Sequence, residues 1–310
     1  MTLSTKKTDL KKIKRAIPLF LMMLPGLVYL LINNYMPMFG LIIAFKNIDY
    51  SKGLLASPWV GFKNFEYLFK TRDAFIITRN TLLYNFGFIV IGTLVAIGVA
   101  ILLNEIRSRF FSRFYQSVIV IPTLISMVIV SYLVMSMLNI DTGMMNKTIL
   151  HLFGVGEISW YTEPKYWPYI LTVVNLWKSV GLTSVIYFAA IIGIDRELYE
   201  AAALDGASKW QQVRMITVPL IMPVIMTLTL LAIGRIFYSD FGLFFQVPLN
   251  SGALMPTTNV IDTYVYRGLI QLNNIGMSSA AGAYQAIVGF ILVLLANLTV
   301  RKINKDYALF

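Results

Sequence analysis

Few residues in this chain are equipped for covalent chemistry. There is no cysteine and a single histidine, His151, in 310 residues. Disulfides, thiolate nucleophiles and Cys-ligated zinc are therefore excluded. His151 has no companion at a ligand-like spacing and reads as a surface residue. No phosphate-cradling Gly-rich loop with its Lys and Ser/Thr is present, and no nucleophile sits beside a histidine. What remains is one charge in a costly place. Lys178 lies about ten residues, roughly 15 Å, into the apolar run 167–194, near the middle of any bilayer that run would cross. An ammonium there must face a pore, a water pocket or a buried acid, or else pin the helix bundle through Asp240 or a backbone carbonyl. Asn175 and Trp177 precede it, and Tyr187 follows about two and a half turns on. Arg235, Tyr238 and Asp240 punctuate a second apolar run nearer its outer end, where snorkelling suffices to explain the charges.

The elements that must hold these residues are membrane helices. The composition is 57% hydrophobic and only 13% charged, which is not that of an ordinary soluble domain. A hydrocarbon layer about 30 Å thick needs about 20 apolar helical residues per crossing. Six runs qualify: 17–43, 81–103, 114–138, 167–194, 218–237 and 278–300. Alternation with a period of two is absent, which argues against a barrel. The predicted fold class is an all-α polytopic membrane protein with six transmembrane helices. Residues 1–16 form a basic tail expected to lie mobile against anionic lipid, and residues 17–310 form the membrane domain. The first run is too long for a secretory signal and lacks a small-x-small cleavage site, so it reads as a retained span. Pro25, Gly26 and Pro37 are expected to interrupt it, and Pro122 to kink the third. The fifth is expected to continue outward or to break at Gly242.

The formal charge of +11 would suggest nucleic acid in a soluble protein, but here its placement matters more. With both termini cytoplasmic, 15 of the 26 Lys and Arg residues fall inside, most of that bias coming from the first 15 residues. Lys6, Lys7, Lys11, Lys12, Lys14 and Arg15 open the chain. Arg107, Arg109, Arg113, Arg196, Lys209 and Arg214 lie on inner turns, and Arg301, Lys302 and Lys305 close it. This orientation satisfies the positive-inside rule.

Between the fourth and fifth runs, residues 195–217 carry their own pattern. Asp195, Glu197 and Glu200 sit where the positive end of a helix dipole favours acids. Ala201, Ala202 and Ala203 continue the helix with little bulk. Asp205-Gly206 should break it, Gly206 taking a left-handed turn and Asp205 capping the next helix. That second, short helix is expected over 207–216. Pro219 then falls where a new helix begins, its missing N–H costing nothing there.

These residues resemble the cytoplasmic EAA loop of ABC-importer permeases: Glu200, Ala201 and Ala202, then Gly206, Ile216 and Pro219. Asn80-Thr81-Leu82, Leu103-Asn104, Pro122, residues 143–146, residues 263–266 and residues 278–282 look like the binding-protein-dependent carbohydrate-uptake branch. The resemblance covers roughly 15–305, and the loop is its most specific part. It implies a type I importer permease fold in a bacterial cell membrane, with residues 195–217 as the coupling helix that docks on an ATPase. Implied partners are a second homologous permease, a cytoplasmic ABC ATPase dimer that binds the ATP and Mg, and an extracellular solute-binding protein. Membrane lipid surrounds the chain, and nucleic acid is not expected. No cofactor belongs to this chain and it is not an enzyme.

Sugars bind by aromatic stacking and hydrogen bonding. Asn175, Trp177, Lys178, Tyr187, Arg235, Tyr238 and Asp240 are therefore the candidate substrate path. A cation there further suggests an acidic sugar, with a neutral oligosaccharide as the competing case. An importer of another solute, such as an amino acid, peptide or polyamine, is the alternative. A secondary transporter would leave the loop pattern unexplained.

Overall fold

The structure, a computed structural model, describes residues 4–66 and 70–303. Lys305, of the basic tail expected at the end, lies outside them. The first helix, α1, runs without interruption from Ser4 to Leu30, so the basic segment continues the first span as helix. Pro18 and Pro25 lie inside α1, and the regular helix gives way only beyond them. It widens into a π-type turn at Leu31–Tyr35 and tightens to 3₁₀ over Phe39–Phe45. The most apolar window of this span buries nothing against the rest of the chain.

The remaining spans form the body of the molecule. Helix α2 (Arg72–Asn104) is capped by Thr71, whose hydroxyl accepts the Ala74 N–H at 3.3 Å. It packs along α5 (Trp167–Ile192). Lipid tails are as apolar as leucine, so close approach rather than water exclusion joins such helices, and small residues mark the seams. Ala96 and Ala100 of α2 are buried with Tyr187, Phe188 and Ile191 of α5 at the end nearer residues 195–217. At the far end Trp167, Leu171 and Val174 are buried with Tyr84, Phe244 and Val247. Helix α11 (Ile275–Ile303) buries Ala280, Ala281 and Ala283 against Ala44, Phe65, Ile77 and Phe237.

The third span departs from expectation. It is two helices, α3 (Arg109–Leu124) and α4 (Met127–Leu138), meeting at 95°. Pro122 sits inside α3, and the chain turns just beyond its end, at Ile125 and Ser126. Ser126 restarts the helix by accepting the Ile129 N–H at 3.4 Å.

The fifth span is also broken, though earlier than Gly242. Helix α8 (Val218–Ile233) ends at Gly234, an irregular stretch comes next, and Asp240 caps α9 (Phe241–Phe245) by accepting the Leu243 N–H at 3.0 Å. Beyond it, α10 (Ile261–Ile270) precedes α11. Five helices among the described residues are long and apolar enough to cross a bilayer, and the bent α3–α4 pair makes six.

Candidate functional site: coupling loop and two broken helices

Residues 195–217 are assembled almost entirely by local hydrogen bonds. Asp195 caps α6 (Arg196–Leu204) by accepting the Glu197 N–H at 3.1 Å. At the other end Gly206 takes φ +81°, with its N–H on Ala203 O at 3.1 Å and the Ala207 N–H on Ala202 O at 2.9 Å. That pair of bonds is the Schellman closure, which favours glycine at this position. The next cap is Ser208 rather than Asp205. The Ser208 hydroxyl accepts the Gln211 N–H, and Gln211 Oε1 accepts the Ser208 N–H at 2.7 Å. Asp205 is instead the last residue of the α6 turn.

The second helix opens at Lys209 and does not stop at Ile216. Helix α7 (Lys209–Gln212) passes through a π-type turn at Val213–Thr217 directly into α8, with Pro219 in its first turn. The loop is thus rigidly continuous with the fifth span. Two contacts tie it back: Tyr199 Oη to Thr217 Oγ1 at 2.9 Å and Lys209 to Glu105 at 3.4 Å. Between them lies a groove of about 650 Å³ lined by Arg107, Arg196, Tyr199, Glu200 and Thr217 among others. Large apolar side chains stand exposed among the charged ones of this loop: Leu204 is 89% exposed, Trp210 73% and Met215 74%. Glu200, Ala201, Asp205 and Gly206 lie close by on the same loop. All four are exposed, while Ala202 and Ile216 are half-buried.

Within the membrane, Lys178 Nζ donates to Pro122 O at 3.2 Å, Thr123 O at 3.2 Å and Ile125 O at 2.5 Å. Of the partners the sequence left open, backbone carbonyls are the ones found, and Asp240 is engaged elsewhere. Pro122 O also accepts the Ile125 N–H at 3.3 Å, whereas Thr123 O and Ile125 O are carbonyls left over where α3 ends, and hydrocarbon offers them no water. The ammonium therefore acts as the C-cap of a helix that stops inside the membrane. In return, Thr123 Oγ1 donates to Lys178 O at 2.7 Å. One turn further along α5, Gly181 lies so close to α3 that a Cβ would overlap the Ile119 carbonyl.

The break after α8 is served in the same way. Asn85 donates to Ile236 O at 2.8 Å, and Gln285 donates to Phe237 O at 2.8 Å and to Asp262 at 3.3 Å. Asp262 accepts the Ser239 N–H at 2.7 Å. Burial pushes its carboxyl above the usual carboxylate range, against the bonds from Ser239 and Gln285 that favour the ionised form. The two breaks meet, since a Cβ on Gly242 at the start of α9 would come 2.7 Å from Met127 at the start of α4.

The other candidate path residues do not share one environment. Asn175 is half-buried, Trp177 is 46% exposed and Tyr238 45%. Tyr187 is 1% exposed, buried within the core, and lies on no path surface. Arg235, in the turn after α8, is exposed and makes no ion pair or side-chain hydrogen bond among the described residues. Sequence reasoning missed Asn85, Asp262 and Gln285. A polar residue inside an apolar run was the available signal.

The outer segments are stapled by asparagines. Asn146 accepts from Trp160 Nε1 at 3.0 Å and from the Ile158 N–H at 3.2 Å. Asn80 donates to Asn259 O at 3.0 Å, beside Thr81, whose hydroxyl accepts the Ile261 N–H at 3.0 Å. The guanidinium of Arg267 holds Asn250, Asn259 and Thr263.

Residues 88–305 match the family described as binding-protein-dependent transport system inner membrane component. The chain is 37% identical over 288 residues to a polygalacturonan/rhamnogalacturonan transport system permease protein of Bacillus subtilis (strain 168), covering 93% of this chain and 89% of that one. Among solved structures, it resembles a chain from a bacterial ABC transporter involved in the import of the acidic polysaccharide alginate. The TM-score is 0.87 at 34% identity, over 96% of this chain and 99% of the other. A second likeness has TM-score 0.85 at 33% identity, over 95% of this chain and 98% of the other. That chain comes from a bacterial alginate ABC transporter in complex with an alginate pentasaccharide-bound periplasmic protein.

Proposed function

The chain belongs to the family of binding-protein-dependent transport system inner membrane components, and on that premise we propose that it is half of the translocation pore for an oligosaccharide bearing uronate carboxylates. Membership makes it the permease of an ABC importer, without an enzymatic site of its own. The observation that carries the coupling role is the set of large apolar side chains left exposed on residues 195–217. Leu204, Trp210 and Met215 stand exposed on a loop whose helix ends are already satisfied by its own caps. A rigid two-helix element with large apolar side chains left exposed suits a protein partner. We take that partner to be a cytoplasmic ABC ATPase dimer, which supplies the ATP and Mg. Because α7 runs into α8 without a hinge, a push on the loop would be delivered to the broken segment beyond Gly234. A second homologous permease would cover the bare first span, and an extracellular solute-binding protein would deliver the sugar.

The acidic character of the solute rests on the relatives, whose names describe polygalacturonan and alginate transport. Within this chain it falls on Arg235 and not on Lys178, whose donors are taken by the α3 carbonyls. An exposed guanidinium at a break in a span can meet a carboxylate with two parallel bonds. Asn175, Trp177 and Tyr238 remain candidates for hydroxyls and ring faces.

Topology reporters within 200–216 and after Phe310 should read as cytoplasmic, and one at Lys147 as external. An external signal from the loop would end the coupling reading. Uptake of matched uronate and neutral oligosaccharides in the parent and in Arg235→Gln tests the solute. Selective loss of the acidic sugar is expected; equal loss of both, or none, would remove the acidic reading and leave the importer.

A further inference from the structure

We infer that the opening two turns of α3 form a binding site for the headgroup of an acidic phospholipid, in the leaflet on the side of residues 195–217. Arg109 and Arg113 are one helical turn apart and share a face, and Phe110 and Phe114 form the adjoining stripe at the same spacing. Together with Ser117 they line an open groove of about 570 Å³. Phe110 is 72% exposed and Phe114 53%, and both arginines lie on the same open face beside them. Among the described residues, no carboxylate lies within ion-pair distance of Arg107, Arg109 or Arg113. The nearest acid along the chain, Glu105, is taken by Lys209. The surface therefore carries uncompensated positive charge.

Depth selects the occupant. After Ser117 the helix continues as Val118-Ile119-Val120-Ile121 and enters hydrocarbon. The arginines thus sit about one and a half and two and a half turns from the apolar layer, at the level where phosphodiesters are concentrated and aromatic rings are favoured. A guanidinium pair grips a phosphate with several parallel bonds, and an anionic headgroup adds attraction that a zwitterionic one lacks. The two phenylalanine faces would lie along the first carbons of the acyl chains. A free phosphate would need the arginines but would leave Phe110 and Phe114 without a role. The site is independent of which solute is carried.

The test uses the assembled importer in phosphatidylcholine bilayers containing spin-labelled phosphatidylglycerol or spin-labelled phosphatidylcholine. The ratio of motionally restricted lipid gives the preference for the acidic headgroup. Arg109→Gln with Arg113→Gln should lower that preference roughly 30-fold at this site. Arg109→Lys with Arg113→Lys should retain most of it, and Phe110→Ser with Phe114→Ser should weaken it. Inorganic phosphate in the buffer should not compete. An unchanged preference in the double glutamine variant overturns the inference, and so does displacement by inorganic phosphate, which would mark a free-anion site. Equal restriction of the two lipids in the parent would mean that no acidic headgroup is selected on this face, and would also overturn it. If the glutamine pair does not assemble, the serine pair decides by the same measurement.

Discussion

Replacing Lys178 by Met removes an ammonium that serves three backbone carbonyls while keeping a side chain of similar length and flexibility. A hydrogen bond to a charged group contributes about 1.5–3 kcal/mol, and the three here act as one unit and do not add. Lys178 is half-buried and Pro122 O keeps the Ile125 N–H, so a net cost of about 2–4 kcal/mol is the working figure. Each 1.4 kcal/mol is about tenfold in a population, so the elbow between α3 and α4 would lose its setting by roughly 30- to 1,000-fold. Because α4 abuts α9, uptake should fall for acidic and neutral oligosaccharides alike, with a lowered thermal midpoint for the purified importer. Lys178→Arg should recover part of both, since a guanidinium also donates to several carbonyls. The assay is paired uptake of the two sugars alongside a melting curve. Selective loss of the acidic sugar with an unchanged midpoint would refute the capping argument and make Lys178 a substrate contact.

Gly206 and Gly181 should respond to substitution for opposite reasons. At Gly206 the φ of +81° opposes any side chain, yet a Cβ would touch nothing within 4 Å. Gly206→Val should therefore cost about 1–2 kcal/mol locally and abolish uptake without affecting insertion, whereas Gly206→Asn should retain more activity. Equal uptake by all three forms in reconstituted vesicles would remove the tight break from the coupling account. Gly181→Ala faces backbone rather than empty space, because its Cβ would overlap the Ile119 carbonyl. Forcing α3 and α5 apart should cost about 1–3 kcal/mol or more, read as a lower melting temperature and lower folded yield. A variant that melts like the parent would mean that the two helices do not approach so closely.

What the sequence determined alone was whatever depends on a residue and its near neighbours. Apolar runs of sufficient length located the spans, because bilayer thickness sets that length whatever the packing. The left-handed turn at Gly206 was legible for the same reason, since Asp205-Gly206 after an alanine run is a local conformational choice. Even so, the sequence points to Asp205 as the cap of the second helix, while the reciprocal bonds between Ser208 and Gln211 secure it.

Tertiary structure decided where spans stop being helices. Pro122 signals weakness in α3, but a bend of 95° requires something to satisfy the carbonyls it strands, and that is Lys178, more than 50 residues away. The break after Gly234 likewise needs Asn85 and Gln285, from α2 and α11, to be tolerable in hydrocarbon. The sequence shows that a mid-membrane lysine, asparagine or glutamine must find a partner. Which partner it finds depends on the packing of helices distant in the chain, and here that packing gives the Lys178 charge to the protein's own backbone.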